Sequence, residues 1–359
     1  MAADDASRPL VSVVIPAFNA ADDYFICLKS LAGQSVENIE VLWIDSCSVD
    51  GSADCVRRDF PWVRVVCLSE NIGYRGGAQY GADQARGRHL IVLNQDVECD
   101  QRFIEHLLRP LEQDPTVGLV APLILHFARR DLVNEVGNTF HFSGLYGSRG
   151  LDEPRQSYAH SAEIGIVSGC SFCIRMDLWR DLGGFSPDFE AYDTGFHAAN
   201  EDQDLCWRAR LEGFRVWLAT ESILYHKYVR KPWSGGRLNS YYFSYWLVLV
   251  RNFRWRSLAL LAPFIGLNLG LLWLKAAAGG WRNLGTMWAT QWWVWRSWRT
   301  LLLMRRRVQA RRKVRDYAVV TRMETNLVVT KNRWAQALYN TVSSVYYQVF
   351  LALVRLAGA

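Results

Sequence analysis

An almost unbroken apolar run, Leu10-Val11-Ser12-Val13-Val14-Ile15, ends at Pro16. A strand buried on both faces carries this pattern, because neither side has to meet water. Residues 22–32 follow, with Phe25, Leu28 and Leu31 spaced as one face of a helix. Ile39-Glu40-Val41-Leu42-Trp43-Ile44 predicts a second strand, and Asp50-Gly51-Ser52 a turn into another helix. Residues 63–68 predict a third strand, and Leu90-Ile91-Val92-Leu93 a fourth. Between them a Gly- and Ala-rich helix runs from the loop at Asn71 to Ala85. Strands and helices that alternate over short connections predict a doubly wound, mostly parallel sheet.

Beyond the fourth strand the same reading gives a helix over 102–111, a strand over 117–121, and loops with short antiparallel strands over 126–165. Residues 164–174 read as a strand around Gly169, and 176–182 as a helix broken by Gly183-Gly184. A helix over 204–211 stops at Gly213, and 214–218 and 223–225 read as closing strands. The pattern then changes. Residues 257–274 and 334–354 are long uncharged stretches, with Trp288, Trp292, Trp293, Trp295 and Trp298 between them. An α/β domain over 1–239 and a helical region over 240–359 are therefore expected.

Charge sharpens that division. The net charge of +6 conceals a basic tail: residues 240–359 hold 18 Lys and Arg against 2 Asp and Glu, together with ten of the sixteen Trp. Apolar helices bordered by Trp and Arg suit interfacial, monotopic attachment to an anionic membrane surface. Nucleic-acid binding would not call for such long uncharged runs, so no nucleic-acid partner is expected. The runs also leave room for a homo-oligomer. Eight scattered Cys and a polar, acidic opening with Arg8 as its one base point to the cytoplasmic face of the cell membrane. Cys170 and Cys173 read as ordinary buried thiols.

In an open α/β sheet, ligands gather at the carboxyl ends of the strands. Asp45 falls just past the second strand and Asn94-Gln95-Asp96 just past the fourth, so both acids should share one edge. Carboxylates gathered there repel one another unless a cation offsets them. A hard divalent ion with oxygen ligands and substrate phosphates would do so, with Asp96 the best single ligand. Asp45, an acceptor-only carboxylate, suits the N–H or hydroxyl donors of a base or ribose. Each acid could equally be a turn former or helix cap. Glu201-Asp202-Gln203-Asp204 supplies a second acidic group that could hold a general base or cap a helix. His226 follows a strand, ahead of Lys227. There is no GxGxxG after the first strand and no P-loop, and Gly73-Tyr74-Arg75-Gly76-Gly77 is only a weak phosphate signal.

Taken in order, these motifs resemble glycosyltransferase family 2 with the GT-A fold, closest to its bacterial rhamnosyltransferase-like branch. The matching residues are Val13-Val14-Ile15-Pro16-Ala17-Phe18-Asn19, Trp43-Ile44-Asp45 with Ser48-Val49-Asp50-Gly51-Ser52, Asn71-Ile72-Gly73, and Leu93-Asn94-Gln95-Asp96-Val97. Gly183-Gly184-Phe185, Glu201-Asp202-Gln203-Asp204-Leu205 with Arg208, and His226 complete the series over residues 10–230, with a weaker continuation at Tyr241-Tyr242 and Arg251-Asn252.

The resemblance implies an inverting transfer from a dTDP or UDP sugar, dTDP-rhamnose among them, to a lipid-linked or polysaccharide acceptor, with Mg2+ or Mn2+ as cofactor. It implies a nucleotide pocket at Pro16, Phe18, Asn19, Asp45, Asn71 and Gly73. Asn94 would then bond the sugar or ribose, and Asp96 and His226 would meet the metal or diphosphate. Asp202 inherits the general base, with Glu201 orienting the acceptor or the loop. Residues 189–200 are longer than the usual spacer before the acidic motif, and Asp188, Glu190 and Asp193 compete with Asp202 there. A membrane-docked scaffold that keeps the fold without catalysis is the alternative.

Overall fold

The computed structural model describes residues 8–186, 201–228, 235–327 and 332–358, the side chains of 235–243 excepted. The chain divides into two compact units. The first holds residues 1–138, 148–185 and 214–229, and the second holds 139–147, 186–213 and 230–359.

The first unit is built on one sheet. Strands β1 (Val11–Ala17), β2 (Ile39–Asp45), β3 (Arg64–Cys67) and β4 (His89–Leu93) lie parallel in the order β4-β1-β2-β3. Helices α1 (Tyr24–Ala32), α2 (Ser52–Asp59) and α3 (Gly73–Gln84) connect them. Every residue of β1 is buried, as its apolar run requires. The buried face of α1 is Cys27, Leu28 and Leu31, not the predicted Phe25-Leu28-Leu31 stripe. Phe25 is 49% exposed and its ring lies 5.6 Å from that of Phe60. The Gly and Ala content of α3 has a steric cause. A Cβ on Gly81 would sit 2.3 Å from Val14 Cγ1 and 2.9 Å from Ile44 Cγ1, so only glycine lets the helix lie this close to β1 and β2.

Farther along, the sheet is mixed. Strand β5 (Val97–Cys99) and helix α4 (Phe103–Gln113) lead into β6 (Val117–His126), which runs five residues past its predicted end. Short strands occupy the irregular stretch, as expected there: β7 (Val133–Glu135) and β10 (Ala162–Glu163) join this sheet, while β8 (Asn138–Phe140) and β9 (Tyr146–Ser148) form a separate two-stranded sheet. Strand β11 (Ser171–Arg175) covers only the second half of predicted strand 164–174, and helix α5 (Met176–Leu182) follows. After helix α6 (Glu201–Leu211), strand β12 (Arg215–His226) is continuous. The two predicted closing strands are one, joined through a register irregularity between Ala219 and Ile223. The main path is β10-β12-β6-β11-β4-β1-β2-β3, with β11 antiparallel to both its neighbours. All eight Cys are free, and Cys170 and Cys173 are buried.

The second unit contains α6 and the C-terminal helices α7 (Gly235–Asn252), α8 (Trp255–Ala278), α9 (Trp281–Arg296), α10 (Trp298–Arg311), α11 (Asp316–Val320) and α12 (Arg333–Leu356). Its basic run does not all face outward. Arg305 donates to the carbonyls of Val250 and Phe253, Gln309 to those of Arg251 and Asn252, and Arg312 to that of Asn252. These side chains satisfy the carbonyls that the end of α7 leaves without helical partners. Arg312 also pairs with buried Asp316 at 2.5 Å, while Arg311 and Lys313 pair with Glu212. Two members of the arginine cluster predicted to face an anionic leaflet, Arg305 and Arg312, are thus internal structure, while Arg306, Arg307, Arg311 and Lys313 are exposed.

His141 is buried in this unit. Its Nδ1 lies 2.8 Å from Ser143 Oγ, and its Nε2 lies 2.8 Å from Ser343 Oγ and 3.1 Å from the Thr325 carbonyl. Burial pushes its pKa down to about 4, against a smaller upward pull from that carbonyl. Folded His141 therefore stays neutral where the unfolded chain takes up a proton. Its share of stability is full above the ordinary value of 6.5 and is lost as pH falls towards 4. Urea unfolding between these limits is expected to show a loss of roughly 3 kcal/mol, with a much flatter pH dependence in His141→Asn.

Candidate active site

The carboxyl edge of the sheet gathers the predicted residues of the first unit. Ala17 and Asp45 are paired in register, so β1 and β2 end level. Side chains then lace their loops together. Asn19 N–H donates to Ser48 Oγ at 2.9 Å, Val49 N–H to Asn19 Oδ1 at 3.1 Å, and Ala21 N–H to Asp50 Oδ2 at 2.8 Å. Asn19 adopts a left-handed backbone (φ 50°), which asparagine tolerates better than most residues. Gln95 ties in the end of β4: its Oε1 accepts from Phe18 N–H at 2.8 Å and its Nε2 donates to the Phe18 carbonyl at 3.2 Å. Phe18 itself is exposed, as is Asn71, whose Oδ1 accepts from Gly73 N–H at 2.9 Å and shapes the entry to α3.

Asp45 is 3% exposed. Its Oδ2 accepts from Ser48 N–H at 3.1 Å, while its Oδ1 is buried without a hydrogen-bond partner. A buried acceptor left in this state is costly unless a ligand completes it.

Asp96, two residues after Asn94, sits 3.4 Å from His226 Nε2 through its Oδ2. Burial alone would raise the Asp96 carboxyl, but the His226 ring, a backbone N–H and Asn94 outweigh it and hold it below the ordinary carboxylate value. The opposite nitrogen, His226 Nδ1, lies 2.9 Å from Asn134 Oδ1. An acceptor there holds a proton on Nδ1, so that Nε2 would be the nitrogen free to meet a cation beside Asp96. The main chain supports the pair, since Lys227 N–H donates to the Asp96 carbonyl at 3.0 Å. Lys227 Nζ reaches Asp23 Oδ1 at 2.7 Å. Among the described residues no group of three or more His, Cys, Asp or Glu surrounds a metal position. One carboxylate and one imidazole still fit a divalent ion that takes its remaining ligands from substrate phosphates and water.

Glu201 and Asp202 belong to the second unit. They form the first turn of α6, not the stretch ahead of it. The four residues of the acidic motif have different surroundings. Asp204 is 1% exposed and bound by Arg208 Nε at 2.7 Å and Arg251 Nη1 at 3.2 Å. Gln203 is fully buried and donates to the Gly144 carbonyl. Glu201 and Asp202 remain half-buried. Asp188, Glu190 and Asp193 lie outside the described residues.

Sequence reasoning passed over Gln95 and Asn134. The first stood in a quoted motif without a role. The second lies in the irregular 126–165 stretch, where no periodicity marks a position.

Residues 12–182 match the family described as Glycosyl transferase family 2. The chain carries a glycosyltransferase family 2 domain with the GT-A fold. It is similar to succinoglycan biosynthesis protein ExoO of Rhizobium meliloti, at 35% identity over 31% of this chain and 31% of that one. It is also similar to N-acetylglucosaminyl-diphospho-decaprenol L-rhamnosyltransferase of Mycobacterium tuberculosis, at 26% identity over 56% of this chain and 70% of that one. The crystal structure of GalNAc-T7 with UDP, GalNAc and Mn2+ shares the fold, with a TM-score of 0.54 and 18% identity over 68% of this chain and 48% of that one. Several curated relatives are matched over only 31–41% of their own length.

Proposed function

We propose that this protein is an inverting, metal-dependent glycosyltransferase that moves a sugar from a nucleotide sugar to a lipid-linked or cell-surface glycan at the cytoplasmic face of the membrane. The observation that carries the reading is the edge at which the unpartnered oxygen of Asp45 and the Asp96–His226 pair both lie. Asp45 takes the base or ribose through that oxygen, beside the backbone of Pro16, Phe18 and Asn19 and the turn at Asn71 and Gly73. Asn94 bonds the ribose or the sugar. Asp96 and His226 hold Mg2+ or Mn2+, which when bound offsets the negative charge growing on the leaving diphosphate. Asp202 takes the proton of the acceptor hydroxyl as that oxygen attacks the anomeric carbon from the opposite side, and Glu201 orients the acceptor.

The rhamnosyl relative supports dTDP-rhamnose as donor and N-acetylglucosaminyl-diphospho-polyprenol as acceptor class. A panel of dTDP-rhamnose, UDP-glucose and UDP-GlcNAc, each with that acceptor and with Mg2+ or Mn2+, tests the reading. Turnover of one donor that stops on chelation is the expected result. No turnover of any donor would favour the non-catalytic scaffold.

Membrane attachment is part of the same proposal. Helix α8 is long and apolar enough to cross a membrane by length and composition. Helix α12 has a second apolar face at Trp334, Leu338, Val342, Val345, Val349 and Leu353, all exposed, opposite its buried Tyr339, Tyr347, Phe350 and Val354. Helix α9 exposes Trp281, Trp288, Trp292 and Trp295 along one side. Such faces suit the lipid interface, with exposed Arg306 and Arg307 drawn to anionic headgroups. Substituting serine at Trp288, Trp292 and Trp295 together is expected to weaken co-sedimentation with phosphatidylglycerol vesicles by more than about tenfold, because each ring forfeits over about 1 kcal/mol of burial. Unchanged co-sedimentation would place the anchor elsewhere.

A further inference from the structure

Helix α6 is buried from Gln203 to Leu211, and Glu201 and Asp202 are the only residues of it left half-buried. Where these two carboxylates sit therefore depends on what fixes the rotation of the helix. We infer that Arg251, on α7, is a positioning residue for sugar transfer: by holding Asp204 it sets where the first turn of α6 presents Glu201 and Asp202. The inference rests on the function proposed above.

Two polar anchors lie in that turn. Gln203 and Asp204 are both buried and, as neighbours in sequence, stand about 100° apart around the helix axis. Gln203 Nε2 donates to the Gly144 carbonyl at 3.1 Å. Gly144 has a left-handed backbone (φ 86°) and lies against α7, since a Cβ there would be 2.8 Å from Leu249 Cδ2. Asp204 divides its two oxygens: Oδ2 accepts from Arg208 Nε at 2.7 Å, and Oδ1 is 3.2 Å from Arg251 Nη1. Arg208 belongs to α6 and moves with it, so it cannot set the rotation. Arg251 can, because it stands on another helix. Asp202 lies about 200° around the axis from Asp204, so a rotation that releases Asp204 carries Asp202 away from its place.

Apolar contacts already seat the helix. The Trp207 ring meets those of Phe140 and Phe253 edge-on, at 4.8 and 5.0 Å between centroids. A buried ion pair is often no more stabilising than apolar side chains of similar volume, so what Arg251 and Asp204 add to this seat is direction. The guanidinium is itself fixed. Arg251 is 1% exposed, and its Nη2 donates to Ser186 Oγ at 3.4 Å. Its carbonyl accepts from Gln309 Nε2, and the carbonyls of Val250 and Phe253 accept from Arg305, so α10 holds the end of α7 that carries it. A planar fork with two separate partners, on a helix end held in turn, defines a position that a single ammonium would not.

Arg251→Met and Arg251→Lys test the role. Asp204 keeps Arg208 in both variants, so neither leaves that carboxylate buried alone. Turnover of the donor identified by the panel above is measured well below the Tm of each protein and expressed per folded molecule. In Arg251→Met, kcat is expected to fall about 10²-fold, the effect of displacing a reacting group by about 1 Å. Arg251→Lys keeps the charge and loses the fork, and should fall between that variant and wild type. Affinity for sugar nucleotide, read by calorimetry with Mn2+, should stay within about twofold in both, because the proposed donor residues belong to the first unit. A purely structural Arg251 would lower Tm and spare kcat per folded molecule, so a folded Arg251→Met within about twofold of wild-type kcat overturns the inference. Donor affinity that falls as far as kcat overturns it as well. Should Arg251→Met not fold, Arg251→Lys decides, with kcat more than about twofold below wild type supporting the role and a smaller change overturning it. A slow Arg251→Met beside a near-normal Asp202→Asn removes only the assignment of the base to Asp202 and still supports the positioning role. A wild type that turns over no donor overturns the inference and the proposed function together.

Discussion

Asp202→Asn is expected to lower kcat by about 10²–10⁴-fold while the affinity for sugar nucleotide stays within about twofold. The amide matches the carboxylate in size but cannot accept the acceptor's proton, so the loss should fall on the chemical step alone. The surroundings of the four motif residues support this choice. Asp204 is bound by two arginines and Gln203 is buried on the Gly144 carbonyl, which leaves Glu201 and Asp202 half-buried. Asp204→Asn would be expected to act on stability instead, since it leaves Arg208 and Arg251 short of their buried partner at a cost of about 3–5 kcal/mol. Glu201→Gln separates the remaining pair. A loss of kcat of about 10²–10⁴-fold there, with Asp202→Asn near wild type, would move the base to Glu201.

The sheet was readable from the chain because its inner strands β1, β2, β4, β6 and β11 are buried on both faces, so an apolar run is enough to mark them. Prediction failed where the cause was not periodic. Strand β12 looked like two strands because the polar residues Thr220, Glu221 and Ser222 interrupt its apolar pattern, although Ser222 Oγ is satisfied by the Phe103 carbonyl. Phe25 fitted a helical stripe and still points outward, because the stripe is shared between Cys27 and Leu28 and an aromatic neighbour, Phe60, stabilises it at the surface. Arg305 and Arg312 were invisible as internal groups because their partners are main-chain carbonyls, which no side-chain pattern records. Within the edge itself, Asp45 and Asp96 were legible from their position after strands. The link from His226 to Asn134 was not, since it joins residues 92 positions apart through an irregular segment.

Asp96→Ala is expected to abolish the metal dependence of donor binding, weakening Mn2+ affinity by more than about 100-fold and kcat/KM by at least about 10³-fold. Free Mn2+ counted by electron paramagnetic resonance reads the first quantity without relying on turnover. The physical basis is the small number of protein ligands. With one carboxylate and one imidazole 3.4 Å apart, and no larger cluster among the described residues, removing the carboxylate leaves a single imidazole that cannot replace the lost negative charge. Asn134→Leu should act in the same direction more weakly, by about 10–100-fold on Mn2+ affinity, because it removes the acceptor that holds the His226 tautomer. The two large effects are therefore separable. Asp202→Asn should keep donor and ion and lose transfer, whereas Asp96→Ala should lose the ion first. If sugar nucleotide binds equally well to wild type and Asp96→Ala, with or without chelator, the ion does not lie at this edge, and the Asp96–His226 pair is an internal ion pair that fixes β12 against the end of β4.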